Sequence, residues 1–182
     1  MLYTRKGDTG NTGTFRCDQR ISKSSATAEA LGALDEINSF LGLAKVKSGE
    51  QGLVYGTRSF SDIIHEVQEN LFTIQAEVAG AEKTTAEEKV RIVEAIVDGI
   101  EKELPPITSF LISGGTELTA LLDTARTFAR RAERRVIAVH EEGKPLGPWT
   151  LAYLNRLSSL LYALARLTNK LCGITERAPS YK

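Results

Sequence analysis

The chain has 182 residues, of which 42% are hydrophobic and 25% are charged, a balance typical of one globular domain with a sizeable core. Its 23 Lys and Arg residues equal its 23 Asp and Glu residues, which argues against a general nucleic-acid-binding protein. The sequence has no apolar run of membrane-spanning length and no apolar core of a secretory signal near its start, so we expect a cytoplasmic protein without a membrane partner.

The first third of the chain predicts a loop followed by two helices. Residues 4–25 are rich in Gly, Thr, Ser and charged side chains and show no helical period, which is typical of a functional or a disordered loop. Apolar residues spaced by three and four then predict amphipathic helices over 26–47 and 59–81, joined by a turn over 48–56.

Three more helices are predicted in the rest of the chain. A Thr85–Glu88 capping box starts the third helix, and Pro105 ends it. A short apolar stretch and a glycine turn then lead to a fourth helix over 116–142. The fifth helix, over 149–172, has Pro148 as its N1 residue.

These segments predict a single all-α domain, a five-helix bundle over 26–172 with an N-terminal loop (1–25) and a tail (173–182). No strand alternation or internal repeat stands out. Leucines of the fifth helix fall on more than one face, which indicates additional surface buried against another subunit.

Five arginines and one glutamate crowd residues 126–135 of the fourth predicted helix. Arg126, Arg130 and Arg134 recur every four residues, so they form one cationic stripe, and Glu133 lies at its border. Guanidinium groups suit phosphate oxygens, which favours a polyphosphate site. The alternative is a solvated charged face, as most charge runs on helices are.

The N-terminal segment offers a second place for an anion. Gly7, Gly10 and Gly13 recur every third residue and permit backbone N–H groups to approach an anion, while Lys6 and several hydroxyls add donors. The segment is neither a Walker loop nor a dinucleotide fingerprint. A disordered lead-in would have a similar composition, so both interpretations stay open.

Three further positions each allow two interpretations. Asp35 lies with Asn38 beside an apolar seam, either as a half-exposed edge or in an ion pair with an arginine, within the bundle or across a subunit interface. Asn155 is either a nucleotide contact or a solvent-facing residue. Phe110 is most simply a core residue, but the following Gly-Gly turn leaves room for a pocket-lining role.

No protein metal centre is expected. His65 and His140 are isolated, and Cys17 and Cys172 stand too far apart for a metal-ligand spacing or a disulfide framework.

Taken in order, the motifs resemble those of the PduO-type ATP:cob(I)alamin adenosyltransferases, and the resemblance covers nearly the whole chain. The segments that carry it are Thr4-Arg-Lys-Gly-Asp-Thr-Gly-Asn-Thr, Gly32-Ala-Leu-Asp35-Glu-Ile-Asn-Ser, Phe110-Leu-Ile-Ser-Gly-Gly-Thr, Ala125-Arg-Thr-Phe-Ala-Arg-Arg-Ala-Glu-Arg-Arg-Val136 and Tyr153-Leu-Asn-Arg-Leu-Ser158. The resemblance implies an up-down, ferritin-like five-helix bundle that assembles as a homotrimer with active sites between subunits. It also implies transfer of the 5′-deoxyadenosyl group of ATP to cob(I)alamin, with release of triphosphate.

The resemblance also assigns roles to residues. The side chains and backbone implied to hold ATP are Thr4, Arg5, Lys6, Gly7, Thr12, Gly13 and Lys23 from one side and Arg130, Arg131, Glu133, Arg134 and Asn155 from the other. Those implied to act near the corrin or in catalysis are Phe110, Asp35, Arg126 and Arg130, with Arg126 pairing with Asp35 and Phe110 helping to displace the lower corrin ligand. Mg²⁺ would be carried by the ATP phosphates, and a reductase or an adenosylcobalamin-dependent enzyme is a candidate partner.

Three residues depart from the family pattern, namely Thr27 where arginine is frequent, Ser113 where proline is common and Ser159 where aspartate is usual. None of them lies in the arginine run. Two functions of other classes stay open from sequence, a non-catalytic helical module that binds a nucleotide or another polyanion and a helical scaffold whose arginines pair with a partner's acids.

Overall fold

The protein folds as a five-helix bundle in the computed structural model, which describes residues 3, 5–14 and 20–181. Within these ranges the helices are α1 (Ala26–Gln51), α2 (Phe60–Val78), α3 (Glu87–Glu103), α4 (Glu117–Glu141) and α5 (Thr150–Leu171). The predicted all-α fold class is therefore confirmed.

Two short antiparallel hairpins accompany the helices, and the sequence analysis did not predict them. Strands β1 (Asn11–Gly13) and β2 (Arg20–Ser22) pair before α1, with Asn11 opposite Ser22. Strands β3 (Val54–Tyr55) and β4 (Arg58–Ser59) pair between α1 and α2. Each strand has two or three residues, too few to show the alternation of apolar and polar positions that identifies a strand in sequence.

The helices pack in the spatial order α2, α1, α4, α5, α3. Helix α4 lies centrally between α1 and α5, and its seam is rich in small residues: Ala125, Ala129 and Ala132 are fully buried. Because alanine adds little bulk, the neighbouring helices can approach the α4 backbone closely. This places the polar edges of α4, which carry the arginines, beside α1 on one side and α5 on the other.

The apolar faces of α5 are covered inside the subunit. Leu154, Leu157, Leu160, Leu161 and Leu164 are all fully buried, since α4 packs on one side of α5 and α3 on another. These leucines therefore lie inside the subunit, whereas Leu171 at the end of the helix is 50% exposed, and burial of α5 surface against another subunit stays a prediction.

The helix ends largely follow the local sequence, with two exceptions. Ser25, Ser59 and Thr116 cap α1, α2 and α4 through their side-chain oxygens, as such residues commonly do. The predicted capping box at Thr85 is wrong: Ala86 is the N-cap of α3, and Thr85 is buried with its hydroxyl 3.2 Å from that of Thr150. Pro148 likewise precedes the N-cap of α5 rather than occupying its first turn.

None of the helices in the described ranges combines the length and the hydropathy that crossing a membrane requires.

Candidate active site

A cavity of about 400 Å³ opens between α4, α5 and the loop that joins α3 to α4. We call this segment the Phe110 loop (residues 105–115) and the space beside it the Phe110 cavity. The loop contributes apolar side chains, and the helices contribute Arg126, Arg130 and Tyr162. The cavity therefore combines apolar side chains with charged ones, arginines among them, in a space large enough for part of a sizeable ligand.

Both helices anchor the glycine turn of the Phe110 loop. The backbone N–H of Gly114 donates to Asp123 Oδ2 at 2.9 Å, and Asn169 Nδ2 donates to the Gly114 carbonyl at 3.3 Å. Gly115 has a φ of +136°, and a Cβ added there would collide with Asn169 Oδ1, so this position requires glycine. The turn is thereby fixed against α4 and α5.

Phe110 is 80% exposed and lines the cavity. The simpler of the two interpretations from sequence, a core residue, is therefore wrong, and the structure agrees with the pocket-lining interpretation. A large aromatic side chain presented at a concave surface is characteristic of a ligand or partner contact.

Arg126 lies at the back of the same cavity in an unusual environment. Its Nε is 3.9 Å from Asp123 Oδ1, and its guanidinium carbon lies 5.7 Å from the centre of the Tyr162 ring. The Nε is buried and has no hydrogen-bond partner in the described part of the chain. A buried donor without an acceptor costs about 1–3 kcal/mol, so a ligand or a neighbouring chain that supplies an acceptor would be favoured here. Burial also raises the pKa of the Tyr162 hydroxyl.

The remaining arginines of α4 divide into two groups. Arg131 pairs with Glu36 and Arg135 lies 3.6 Å from Glu29, so both face α1. By contrast, Arg130 and Arg134 are exposed and form no ion pair or hydrogen bond with any residue in the described ranges. Arg130 lines the Phe110 cavity. The arginine run of α4 is thus partly neutralised on the side facing α1, through Arg131 and Arg135, and open to an anion at Arg130 and Arg134.

Polar residues of α5 extend this open side. Asn155 Nδ2 donates to Glu133 Oε1 at 3.0 Å, and Arg156 Nη1 donates to Asn155 Oδ1 at 2.8 Å. Asn155 is exposed. The structure therefore brings Glu133 and Asn155, both predicted to contact ATP, into direct contact.

The described N-terminal residues form a compact hairpin, which we call the N-terminal hairpin (residues 5–14 and 20–23). Arg20 donates to the carbonyls of Lys6 and Asn11 and closes it. The ammonium of Lys23 lies over Gly7, where an added Cβ would stand 3.2 Å from Nζ. Gly7 and Lys23 are thus brought together, with Arg5, Thr12 and Gly13 nearby in the same hairpin. The predicted site residue Thr4 lies outside the described residues, as does Cys17.

Asp35 and Arg126 line different clefts of one subunit. Asp35 is exposed beside α4, in a cleft that also contains Glu36, Arg131 and Arg135. Arg126 lines the Phe110 cavity instead. An ion pair between Asp35 and Arg126 within one subunit is not present among the described contacts, and a pair across a subunit boundary stays a prediction.

Several residues of the cavity were not among the predicted site residues. Asp123 holds the glycine turn, and Tyr162 lies against Arg126. The signals were present: Asp123 is three residues before Arg126, and Arg166 is an isolated arginine in a leucine-rich helix. Glu176, in the tail after α5, gave no such signal.

The three departures from the family pattern have definite positions. Ser113 and Ser159 both line the Phe110 cavity. Thr27 is buried in the first turn of α1 and accepts a 2.6 Å hydrogen bond from Lys144 Nζ. An amine from the α4–α5 connection therefore reaches the position at which family members often carry arginine.

Comparison with known proteins identifies the family. The family model described as Cobalamin adenosyltransferase matches residues 2–168. A corrinoid adenosyltransferase of Bacillus subtilis is 37% identical over 174 residues, which cover 95% of this chain and 89% of the relative. The corrinoid adenosyltransferase PduO of Salmonella typhimurium is 34% identical over 172 residues, and the match spans 91% of this chain but about half (48%) of that relative.

Solved structures agree with this assignment. A variant PduO-type ATP:corrinoid adenosyltransferase from Lactobacillus reuteri, complexed with cobalamin and ATP, superposes with a TM-score of 0.87 at 27% identity and covers 99% of this chain and 97% of that chain. Another variant from the same organism, complexed with ATP, gives a TM-score of 0.85 at 28% identity, covering 98% of this chain and 99% of that chain. The chain belongs to the cobalamin adenosyltransferase family.

Proposed function

We propose that this protein transfers the 5′-deoxyadenosyl group of ATP to cob(I)alamin, forming adenosylcobalamin and triphosphate. The observation that carries the proposal is that Phe110 and Arg130 line the same cavity. An apolar residue suited to a corrin face and a cation suited to a phosphate thus lie beside one space. Family membership and relatives that bind ATP and cobalamin support the same reaction.

The reaction needs alignment and charge stabilisation more than a protein nucleophile. The electron pair of Co(I) forms the new bond to the ribose C5′, while the C5′–O bond breaks and its electron pair leaves with the triphosphate. Preorganised cations near the leaving oxygen stabilise the developing negative charge. Arg130 and Arg134 are suited to this role because they have no acidic partner among the described residues.

Phe110 is proposed to act on the corrin side. Its exposed ring can occupy the space beside cobalt that an axial ligand or water would otherwise take. Loss of the axial ligand eases reduction of cobalt to Co(I), the state that attacks ATP. The glycine turn is fixed against α4 and α5, which supports this role. A small displacement of the Phe110 ring would move it away from cobalt and remove its effect.

The ATP-binding set is proposed to be completed by a second subunit. The N-terminal hairpin would hold ATP from one subunit, and the α4–α5 residues Arg130, Arg134 and Asn155 from the next. Asp35 of one subunit would then pair with Arg126 of its neighbour, which would also supply the missing acceptor near the Arg126 Nε. A homotrimer is the assembly that the family resemblance implies.

Mg²⁺ is proposed to enter with ATP. This ion is usually held by substrate phosphates with one or two carboxylates, and Glu133 is a carboxylate within the arginine cluster. We further propose a cytoplasmic location, and a reductase or an adenosylcobalamin-dependent enzyme as partner.

One assay separates the proposed reaction from its alternatives. Protein is mixed with MgATP and chemically reduced cobalamin, and the absorbance change of a new Co–C bond is followed together with triphosphate release. An adenosyltransferase gives both signals in equal amounts. ATP binding without either signal would identify a nucleotide-binding module instead, and no stabilisation by ATP would favour a scaffold.

A further inference from the structure

The chain after α5 turns back along the Phe110 loop. Ile174 N donates to the Asn169 carbonyl at 2.9 Å, which reverses the chain direction. Three residues later, the Arg177 carbonyl accepts a 2.8 Å hydrogen bond from Ile112 N. The tail therefore supports the Phe110 loop through a backbone hydrogen bond at Ile112.

A buried ion pair joins the tail to the bundle. Arg166 Nε lies 3.0 Å from Glu176 Oε2, and the two side chains are only 7% and 18% exposed. The same guanidinium donates from Nη2 to the Pro105 carbonyl at 3.1 Å. One side chain of α5 thus holds both the start of the Phe110 loop and the tail that supports it.

This pair differs in kind from the surface ion pairs of the protein. Arg91 and Glu87, one turn apart on α3, are 72% and 43% exposed. Each can replace its contact with the other by hydrogen bonds to water at little cost in free energy. Arg166 is shielded from water, and its Nε and Nη2 donate to Glu176 and to the Pro105 carbonyl. Removing either partner would leave a buried charge uncompensated, so the arrangement of the three segments is strongly determined.

Arg166 and Glu176 both line the Phe110 cavity. The Phe110 ring itself is mostly exposed, so its position depends on the backbone of the loop rather than on packing of the ring. The loop has no helix or strand of its own. Its polar anchors are Asp123 and Asn169 at one end, Arg166 at the other, and the tail along its middle.

We propose that Arg166, together with Glu176, is a positioning residue for the corrin-binding half of the site. It sets the position of the Phe110 loop, and hence of the Phe110 ring, without taking part in ATP binding. The proposal rests on the proposed function, since it assumes that the Phe110 cavity receives the corrin.

The test uses the full-length protein with four single substitutions. Arg166→Met removes the charge and both hydrogen bonds at similar length, and Arg166→Lys retains the charge but loses the planar fork. Glu176→Gln leaves the Pro105 contact intact. Arg91→Met is the matched control, because it makes the same chemical change in an exposed pair far from the cavity.

The readouts are the KM values for MgATP and cob(I)alamin, kcat, the melting temperature, and the spectrum of cob(II)alamin bound with ATP, which reports four-coordinate cobalt. For Arg166→Met we expect the cob(I)alamin KM to rise roughly tenfold or more and the four-coordinate signal to fall, since small displacements of positioned groups have effects of this size. The MgATP KM should change less than about twofold, within what loss of a remote contact produces. Arg166→Lys should recover part of the loss, and Arg91→Met should match the wild type.

The positioning role would be overturned if Arg166→Met gave the same cob(I)alamin KM and the same four-coordinate signal as Arg91→Met. It would also be overturned if Arg166→Met changed both KM values equally and in proportion to its loss of melting temperature. If Arg166→Met does not fold, Glu176→Gln decides on the same criteria, with a smaller corrin-specific change expected. A wild-type protein that forms no Co–C bond would instead remove the proposed function, so the two failures are distinct.

Discussion

The two halves of the proposed active site differ in how complete they are within one subunit. The Phe110 loop is held within one subunit, since α4, α5 and the tail fix it through named hydrogen bonds. On the nucleotide side, the described hairpin contacts are internal, while Arg134 and Asn155 are exposed on the bundle surface.

This difference indicates that the two halves of the site reach their final geometry in different ways. The Phe110 loop on the proposed corrin side is held by hydrogen bonds inside the subunit, so its position depends on the subunit's own contacts. On the proposed nucleotide side, Arg130 and Arg134 have no ion-pair or hydrogen-bond partner in the described ranges, so their final arrangement depends on the ligand and on a neighbouring chain. Substitutions on the two sides should therefore affect different substrates, and the following predictions test that separation.

The largest effect is expected for Arg130→Ala. Loss of one preorganised donor to the departing triphosphate should cost roughly 2–4 kcal/mol of transition-state stabilisation, or about thirtyfold to a thousandfold in rate. Steady-state turnover with MgATP and cob(I)alamin measures it, with Arg91→Ala as the control for loss of an exposed arginine. Wild-type turnover in Arg130→Ala would remove this residue from the triphosphate site.

Phe110→Ala should rank second and should act on the corrin side alone. Without the ring, water or an axial ligand can reach cobalt, so adenosylation should slow roughly tenfold to a hundredfold when the reaction starts from cob(II)alamin. The loss should be smaller when it starts from cob(I)alamin, and ATP affinity should stay nearly unchanged. Equal losses with both cobalt states would contradict the wedge role.

Asp35→Asn tests whether a neighbouring subunit completes the site. If Asp35 pairs with Arg126 of another copy, loss of the charge should weaken corrin use by about 1–2 kcal/mol, roughly five- to thirtyfold, and ATP affinity less. The KM for cob(I)alamin and the mass of the assembly by light scattering report the two consequences. An unchanged corrin KM would argue against the pair, and Glu36→Gln, in the same cleft, is the control.

The smallest effect is expected for Arg131→Met. Arg131 is about half exposed and pairs with Glu36, so its loss should reduce stability by less than about 1 kcal/mol. The KM for MgATP should change less than in Arg130→Ala, which isolates the contribution of the unpaired arginine. A larger effect than that of Arg130→Ala would show that the family-implied ATP contact of Arg131 outweighs its bond to Glu36.

The helices and the arginine cluster could be predicted because both depend on local spacing. The seam of α4 and the four-residue period of Arg126, Arg130 and Arg134 are visible without any long-range information. The covering of α5 could not be predicted in this way: periodicity shows that a face is apolar but not which helix packs on it. The capping box predicted at Thr85 was wrong for the same reason. Thr85 is buried against α5, and this tertiary contact replaced the local cap.

The cavity was predictable only in part. Phe110 could be nominated from the following glycine turn, but the residues that fix the turn lie 9 and 55 positions from Gly114, at Asp123 and Asn169. Glu176 is separated from Pro105 by the whole of α4 and α5. Sequence spacing carries no information on such pairs without a structure or covariation.

The contact between Ile112 and Arg177 also constrains the order of events during synthesis. Helices α1, α2 and α4 can begin to associate while the ribosome is still making α5, because domains start to fold as segments emerge. The Phe110 loop cannot reach its supported position until residue 177 has left the exit tunnel. The loop that displays the 80% exposed Phe110 ring therefore settles late, and a nascent chain paused before that point would leave it without its support.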